Sequence, residues 1–410
     1  LEAFDTDGNS VAKANAPANW NEGSGGDPNG TFNKWDPLGV QTDENVIKSV
    51  RVSGNVNQTG IDDLTVCRSL RIHSVEITQA IQVWQTLDEL KDDLEDDGAP
   101  PVPIVALKPT ALRVYLDEVD TVTEVRVQLR IPGLISDKTI TLQPGCTPEE
   151  IRKQQNKCLS VDFIFGTPED SWFAIVKLFD SDDNEIQSLE FTLTSRTSRA
   201  LKLVPVSVCR LVPIPPFPTE CEEGQHLERF LPLLRASAPT HRVQTIGETR
   251  TVTVPGGLIG NVWWVKVLAA INGLWVVHGP SDSYYHGMVR NDAPGDILGM
   301  ALFRGAASRV ESLVLGTFGF ENTAATVLHE TGHMLGRPHT NKEIPDDKCS
   351  LGSDPFTDWP YPDNRIQEVG FDVANRKALD PENTFDWMSY CLPPYWISPH
   401  TYTKVMETLR

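Results

Sequence analysis

The chain has 410 residues, 40% hydrophobic and 22% charged, which excludes a wholly disordered or collagen-like protein and leaves room for two or three domains. Lysine and arginine number 36 against 56 aspartates and glutamates, a net charge of −20. That balance argues against the large basic face needed by a partner such as nucleic acid or an anionic membrane. The longest apolar stretch, Leu258 to Val277, is interrupted by Asn261, Lys266 and Asn272, so it reads as a buried helix centred on 262–275, with no membrane span.

The opening Leu1-Glu2-Ala3-Phe4-Asp5 has neither the basic start nor the apolar run of a signal peptide and reads as the beginning of a processed or trimmed chain. Residues 1–65, rich in Asn, Gly and Asp, read as an irregular extension with one strand near 46–52. Within it, Asp5-Thr6-Asp7-Gly8-Asn9 lacks the downstream bidentate Glu of a calcium loop, and a polar turn is expected. Asn29 and Asn57 head two N-x-T sequons.

From 66 to 199 the pattern changes to short alternating runs at 71–77, 112–116, 123–131, 140–142, 161–165, 173–179 and 189–193. Val125, Val127, Leu129 and Ile131 share one face. Short strands separated by Gly, Pro, Asp and Asn clusters predict an all-β, immunoglobulin-like sandwich. The acidic run 88–97 reads as a loop or short helix.

Beyond 200, strands alternate with helices, which predicts an α/β (α+β) domain over 200–410 and a multidomain chain. Strands are expected at 201–208, 249–254, 284–289 and 299–303, and helices at 225–235 and 262–275. The stretch Pro213 to Pro218 reads as an extended loop. Seven cysteines stand without any C-x-x-C. Proximity suggests Cys146–Cys158, Cys209–Cys221 and Cys349–Cys391, with Cys67 a buried free thiol. Such a set favours an oxidising, extracellular compartment.

The decisive segment is His329-Glu330-Thr331-Gly332-His333-Met334-Leu335-Gly336-Arg337-Pro338-His339. Helix positions four apart lie on one face, so His329 and His333 can share a metal ion, with Glu330 beside them. Asn322 or Thr323 is the expected cap of this helix. Gly336 marks its end, since a residue with positive φ lets the chain turn. Pro338 forbids continuation, and His339 can swing back as a third nitrogen ligand. Three imidazoles with an open fourth position describe a catalytic zinc site.

This segment resembles the zinc motif of the metzincin clan of metallopeptidases, H-E-x-x-H-x-x-G-x-x-H, which a Met-containing turn follows later in the chain. The second part is similar to Asp386-Trp387-Met388-Ser389-Tyr390 here. The resemblance covers about residues 200–410 and implies a metzincin catalytic domain with Met388 as a hydrophobic floor under the imidazoles. Tyr390 would be an extra ligand or a donor to the oxyanion. A sandwich ahead of such a domain is similar to the build of modular secreted microbial peptidases. Thr340, after the third His, departs from the acidic or Ser residue of several named families, so astacins, adamalysins, matrixins and serralysins are not assigned.

The resemblance implies hydrolysis of a protein or peptide substrate by a zinc-bound water, with Glu330 as general base. The substrate would lie extended along the strand at 299–303, and residues 392–402, including Tyr395 and Trp396, would wall a side-chain pocket. His73, His226, His241, His278, His286 and His400 have no ligand spacing and read as surface or core residues. Asp354, Asp358, Asp363 and Asp372 could hold calcium, though polar loop residues are the commoner reading. The competing reading is an extracellular adhesion or binding protein that works through the sandwich, with a vestigial peptidase domain. Vestigial sites lose the base or a ligand, and here both are kept.

Overall fold

Strands dominate this chain, because alternating apolar runs outnumber helical ones along most of its length. The computed structural model describes residues 1–5, 8–15, 39–40, 47, 49–52, 70–96, 99–155, 158–211, 219–256, 261–278, 282–290, 298–305, 307–312, 316–340, 357–391 and 394–410. Asn29, Asn57, Cys67, Cys349, Asp354 and the Pro213 to Pro218 stretch lie outside them. The chain divides into two units, Leu1–Leu70 and Arg71–Arg410.

In the first unit β1 (Glu2–Phe4) pairs antiparallel with both β2 (Ser10–Lys13) and β3 (Ser49–Arg51). Sequence reading anticipated only the last of these strands. Its polar turn forms: Asn9 donates from its backbone N to Asp5 Oδ1 at 2.8 Å, and Gly8 supplies the positive φ of 82°.

The second unit opens with strands β4 (Ile72–Thr78), β5 (Pro109–Leu116), β6 (Thr123–Ile131), β7 (Leu134–Leu142), β8 (Val161–Gly166), β9 (Ser171–Phe179) and β10 (Glu185–Thr194). They build two antiparallel sheets, ordered β10-β9-β6-β7 and β4-β5-β8. Val125, Val127, Leu129 and Ile131 are all buried, as their period of two requires. The acidic run becomes helix α1 (Leu87–Asp96), begun by a reciprocal cap in which Glu89 N donates to Thr86 Oγ1 and Thr86 N to Glu89 Oε2. Helix α2 (Pro148–Lys153) was not anticipated, although Thr147 and Glu150 form the same box.

Next come β11 (Leu201–Leu211), β12 (Thr219–Glu222), α3 (Leu231–Ser237), β13 (Val243–Thr245), β14 (Arg250–Pro255), α4 (Asn261–His278), β15 (Ser283–Arg290), β16 (Gly299–Ala301), β17 (Ala307–Ser312) and α5 (Gly316–Met334). The helix expected over 225–235 is instead a 3-10 helix, Gly224–Phe230, running into α3. Pro232 is tolerated because it falls in the first turn of α3, where its missing N–H had no partner to lose. The chain closes with β18 (Gly370–Asp372), β19 (Lys377–Leu379), β20 (Phe385–Asp386), β21 (Tyr395–Trp396) and α6 (Pro399–Thr408).

Strands β12-β11-β15-β17-β16 form a mixed sheet, with β13 and β14 also pairing with β11. β15 is parallel to β11 and β17 to β15, while β16 runs antiparallel and ends the order. Alternation divides its side chains between two cores. Val204, Val206, Val208, Tyr285 and Val289 meet Trp263, Trp264, Val267 and Ile271 of α4. Leu203, Met288 and Val310 meet Val327 and Leu328 of α5. No helix among the described residues is long and apolar enough to cross a membrane.

The expected boundary at 199/200 does not separate two cores. Ala80, Ile81, Val102 and Val105 pack in one cluster with Leu201, Leu227, Val327, Trp387 and Tyr402. Polar ties cross it as well: Tyr402 Oη donates to Gln79 Oε1 at 2.9 Å and Trp396 Nε1 to the Ala80 carbonyl at 2.7 Å. Disulfides join Cys146 to Cys158 and Cys209 to Cys221, the latter across β11 and β12. Cys391 is also disulfide-bonded.

Candidate metal centre

Helix α5 starts at Gly316, so Asn322 and Thr323 lie inside it and cap nothing. The expected helix end is correct. Gly336 takes φ 80°, its N–H donates to the His333 carbonyl at 2.9 Å, and Arg337 N–H reaches back to Gly332 at 2.9 Å. This paired C-terminal motif needs a residue without a Cβ penalty at the turn, and glycine supplies it. The chain then doubles back and presents His339 to the face that carries His329 and His333.

Ligand atoms of His329, His333 and His339 lie within 4.8 Å of one another. Backbone carbonyls settle which ring nitrogens are available. His329 Nδ1 is 2.9 Å from the Trp387 carbonyl and His333 Nδ1 is 2.8 Å from that of Arg337. A carbonyl only accepts, so both Nδ1 atoms carry the proton and both Nε2 lone pairs point elsewhere. His333 Nε2 lies 3.0 Å from His339 Nε2. Two imidazole nitrogens facing at this spacing suit a shared cation, and the donor set of three nitrogens suits zinc. Burial, then the neighbouring His333 and His339, hold His329 well below the usual histidine range, which keeps its ring neutral.

Glu330 projects beside the ligands, 4% exposed. Its Oε2 is buried without a hydrogen-bond partner among the described residues. Burial pushes its carboxyl up to about 8, against the opposing charge of Arg309. Strand β16 passes so close that a Cβ on Gly299 would collide with Glu330 Oε1. Met388 is buried under the helix, and a Cβ on Gly332 would collide with its sulfur.

The turn at Met388 holds two of the three histidine segments at once. Trp387 offers its carbonyl to His329, and the Met388 carbonyl accepts Thr340 N–H at 3.1 Å, just after His339. Asp386 fixes the turn, accepting from Met388 N and Ser398 N, each at 2.9 Å. Tyr390 is half-exposed, with its hydroxyl 2.6 Å from His339 Nε2. All of the site residues read from the motif therefore gather in one place.

Other expectations fare differently. Trp396 is buried in the core with its indole N–H spent on Ala80, so it walls no pocket. The strand expected over 299–303 is shorter, ending at Ala301. Asp363 and Asp372 are engaged by local donors, Arg365 N and Asn375 Nδ2 among them. His286 is fully buried beside Ser308, and burial pushes it down to about 3. Sequence reading missed Asp358 and His400 as neighbours of Arg337, because no spacing rule links positions that only the fold brings together.

No family model matches the chain, and no curated protein matches it. Among solved structures, the fibronectin(III)-like modules of Clostridium thermocellum CbhA overlap 24% of this chain and 88% of their own, at 11% identity and TM-score 0.16. A Bacteroides uniformis β-glucuronidase overlaps 46% of this chain and 32% of its own, at 10% identity and TM-score 0.17. For a Parabacteroides merdae β-glucuronidase the shares are 56% and 30%, at 10% identity and TM-score 0.17. This chain thus spans about a third of either glucuronidase. Overlaps this slight carry no argument about function, which rests on the geometry of the histidine centre.

Proposed function

We propose that this chain is a secreted zinc-dependent endopeptidase of the metzincin type. In this reading residues 200–410 carry the catalytic centre, and the strands of 66–199 form an immunoglobulin-like module that shares its core. The supporting observation is the convergence of His329, His333 and His339, within 4.8 Å at their ligand atoms, with Glu330 next in sequence and its Oε2 buried without a hydrogen-bond partner among the described residues. A zinc ion bound by these imidazoles would polarise the scissile carbonyl and acidify a water for attack.

The chain's own groups do the rest. Glu330 takes the proton from the attacking water and delivers it to the departing amine nitrogen. Tyr390 Oη donates to the oxygen on which negative charge develops. Among the described residues strand β16 ends the order of its sheet, so an extended peptide would add along its outer edge, next to Glu330. Met388 supports the imidazoles from below. The disulfides fit an oxidising compartment.

The test is cleavage of a mixed peptide library by the zinc-loaded protein, with Glu330→Ala run beside it. Cuts are expected from the parent and none from the variant, with zinc retained by both. Intact peptides beside a fully zinc-loaded parent, or cuts that persist in the variant, would overturn the proposal.

A further inference from the structure

Arg337 sits inside the zinc motif at a position the motif leaves open, yet its side chain is 7% exposed. A buried guanidinium needs partners, and these come from two distant segments. Asp358 Oδ1 accepts from its NH2 at 2.6 Å, and His400 of α6 places Nε2 3.1 Å from the same nitrogen. His400 Nε2 also lies 3.3 Å from Asp358 Oδ1. Burial alone would raise the Asp358 carboxyl, but the Arg337 hydrogen bond and charge, with His400 behind them, bring it below the usual range.

The backbone of the same arginine serves the metal ligands. Its carbonyl accepts His333 Nδ1–H at 2.8 Å, and its N–H closes the helix onto Gly332 at 2.9 Å. On the other side of the turn, Arg304 N–H donates to the His333 carbonyl at 2.9 Å. The His333 ring is therefore held at Nδ1 by a carbonyl of a residue that is itself pinned at the far end of its side chain.

We propose that Arg337 and Asp358 form a positioning pair, supported by His400, that orients metal ligand His333 through the Arg337 carbonyl. This deepens the zinc reading and rests on it. The pair touches no reacting atom. Its role is to keep His333 Nε2 aimed at the centre, and outer-shell partners of this kind change metal affinity by about ten- to a hundredfold.

The test uses the full chain and reads zinc affinity by competition with a chromophoric chelator, together with the visible spectrum of the cobalt(II)-substituted protein. Asp358→Asn is expected to weaken zinc by about ten- to a hundredfold and to alter the cobalt bands. Arg337→Lys, which keeps the charge without the planar fork, is expected to do the same, and it carries the test should Asp358→Asn lose its fold. The double variant should bind no more weakly than the weaker single, since the two residues act as one unit. Lys404→Gln removes an exposed pair with Glu407 within α6 and should leave affinity unchanged.

A folded Asp358→Asn protein with parental zinc affinity and cobalt spectrum overturns the proposal, even if its metal-free melting temperature falls, because the pair is then merely structural. A parent that takes up no zinc overturns the metal reading itself. That outcome is distinct from a tightly binding parent with indifferent variants.

Discussion

A hydrogen in place of a methyl at Gly332 lets Met388 seat its sulfur against the helix that carries His329 and His333. Alanine there gains up to about 1 kcal/mol of helix propensity. It also overpacks a closed contact, at a cost of about 1–3 kcal/mol. The second effect is the larger, so Gly332→Ala should lower stability in urea unfolding and displace the floor under the imidazoles. Tyr390 sits at the exposed rim, so under the proposed function its hydroxyl serves the reaction more than the fold. Tyr390→Phe is expected to reduce kcat/KM about a hundredfold with zinc affinity nearly unchanged, as steady-state kinetics and chelator competition would report. At this scale the sequence was informative wherever chemistry is local. His329, His333 and Gly336 follow from helix spacing, whereas the partners of Arg337 lie 21 and 63 residues away and have no local signature.

Among the elements, the turn between β20 and β21 does more than its length suggests, because one carboxylate organises it. Asp386 is fully buried and accepts from Met388 N and Ser398 N, so it joins the floor of the centre to the start of α6. Asp386→Asn turns one acceptor into a donor facing a donor. The expected loss is about 1–3 kcal/mol in urea unfolding, the cost of a buried group left unsatisfied. Wild-type stability in that variant would show that the turn is held by packing alone. Helix α2 was legible in principle, through Pro148 after Thr147 with Glu150 completing the box, but six residues are too few for a hydrophobic period to appear. The early start of α5 at Gly316 was hidden for another reason. Its first turns contain glycine and polar residues that local propensity reads as loop.

Across residues 71–410, the segments before and after residue 200 depend on each other. Lys108, 2% exposed, donates Nζ to the Arg235 carbonyl at the end of α3 at 2.6 Å, and Arg152 reaches Glu368 at 2.8 Å. A fragment comprising 200–410 would strip Ala80, Ile81, Val102 and Val105 from the buried cluster that holds Leu201, Leu227 and Trp387. It should lack the near-ultraviolet circular dichroism of the full chain and be digested rapidly by trypsin. A protease-resistant fragment with native-like dichroism would contradict this. Burial pushes Lys108 down to about 7 from 10.5, with the Asp372 charge opposing. Between those values the unfolded chain binds the proton and the folded chain does not, so this group makes stability rise with pH, by at most about 1.4 kcal/mol per pH unit. Measured against Lys108→Met, which removes the titration, the parent should gain relative stability from pH 7 towards 10. A difference that stays flat with pH would refute it.

The sequence by itself determined the three histidines and the adjacent Glu330 of the centre, the end of their helix, two disulfides and the strand-rich character of the chain. Each of these depends on residues close together along the backbone, where helix and strand periods impose the geometry. Only the tertiary structure decided that Trp387 and Arg337 lend their carbonyls to the imidazoles, that Trp396 belongs to the core, and that the core runs through the 199/200 boundary. Those contacts join residues far apart in sequence, and they are selected by the apolar surface and buried polar groups that the folded chain as a whole must satisfy.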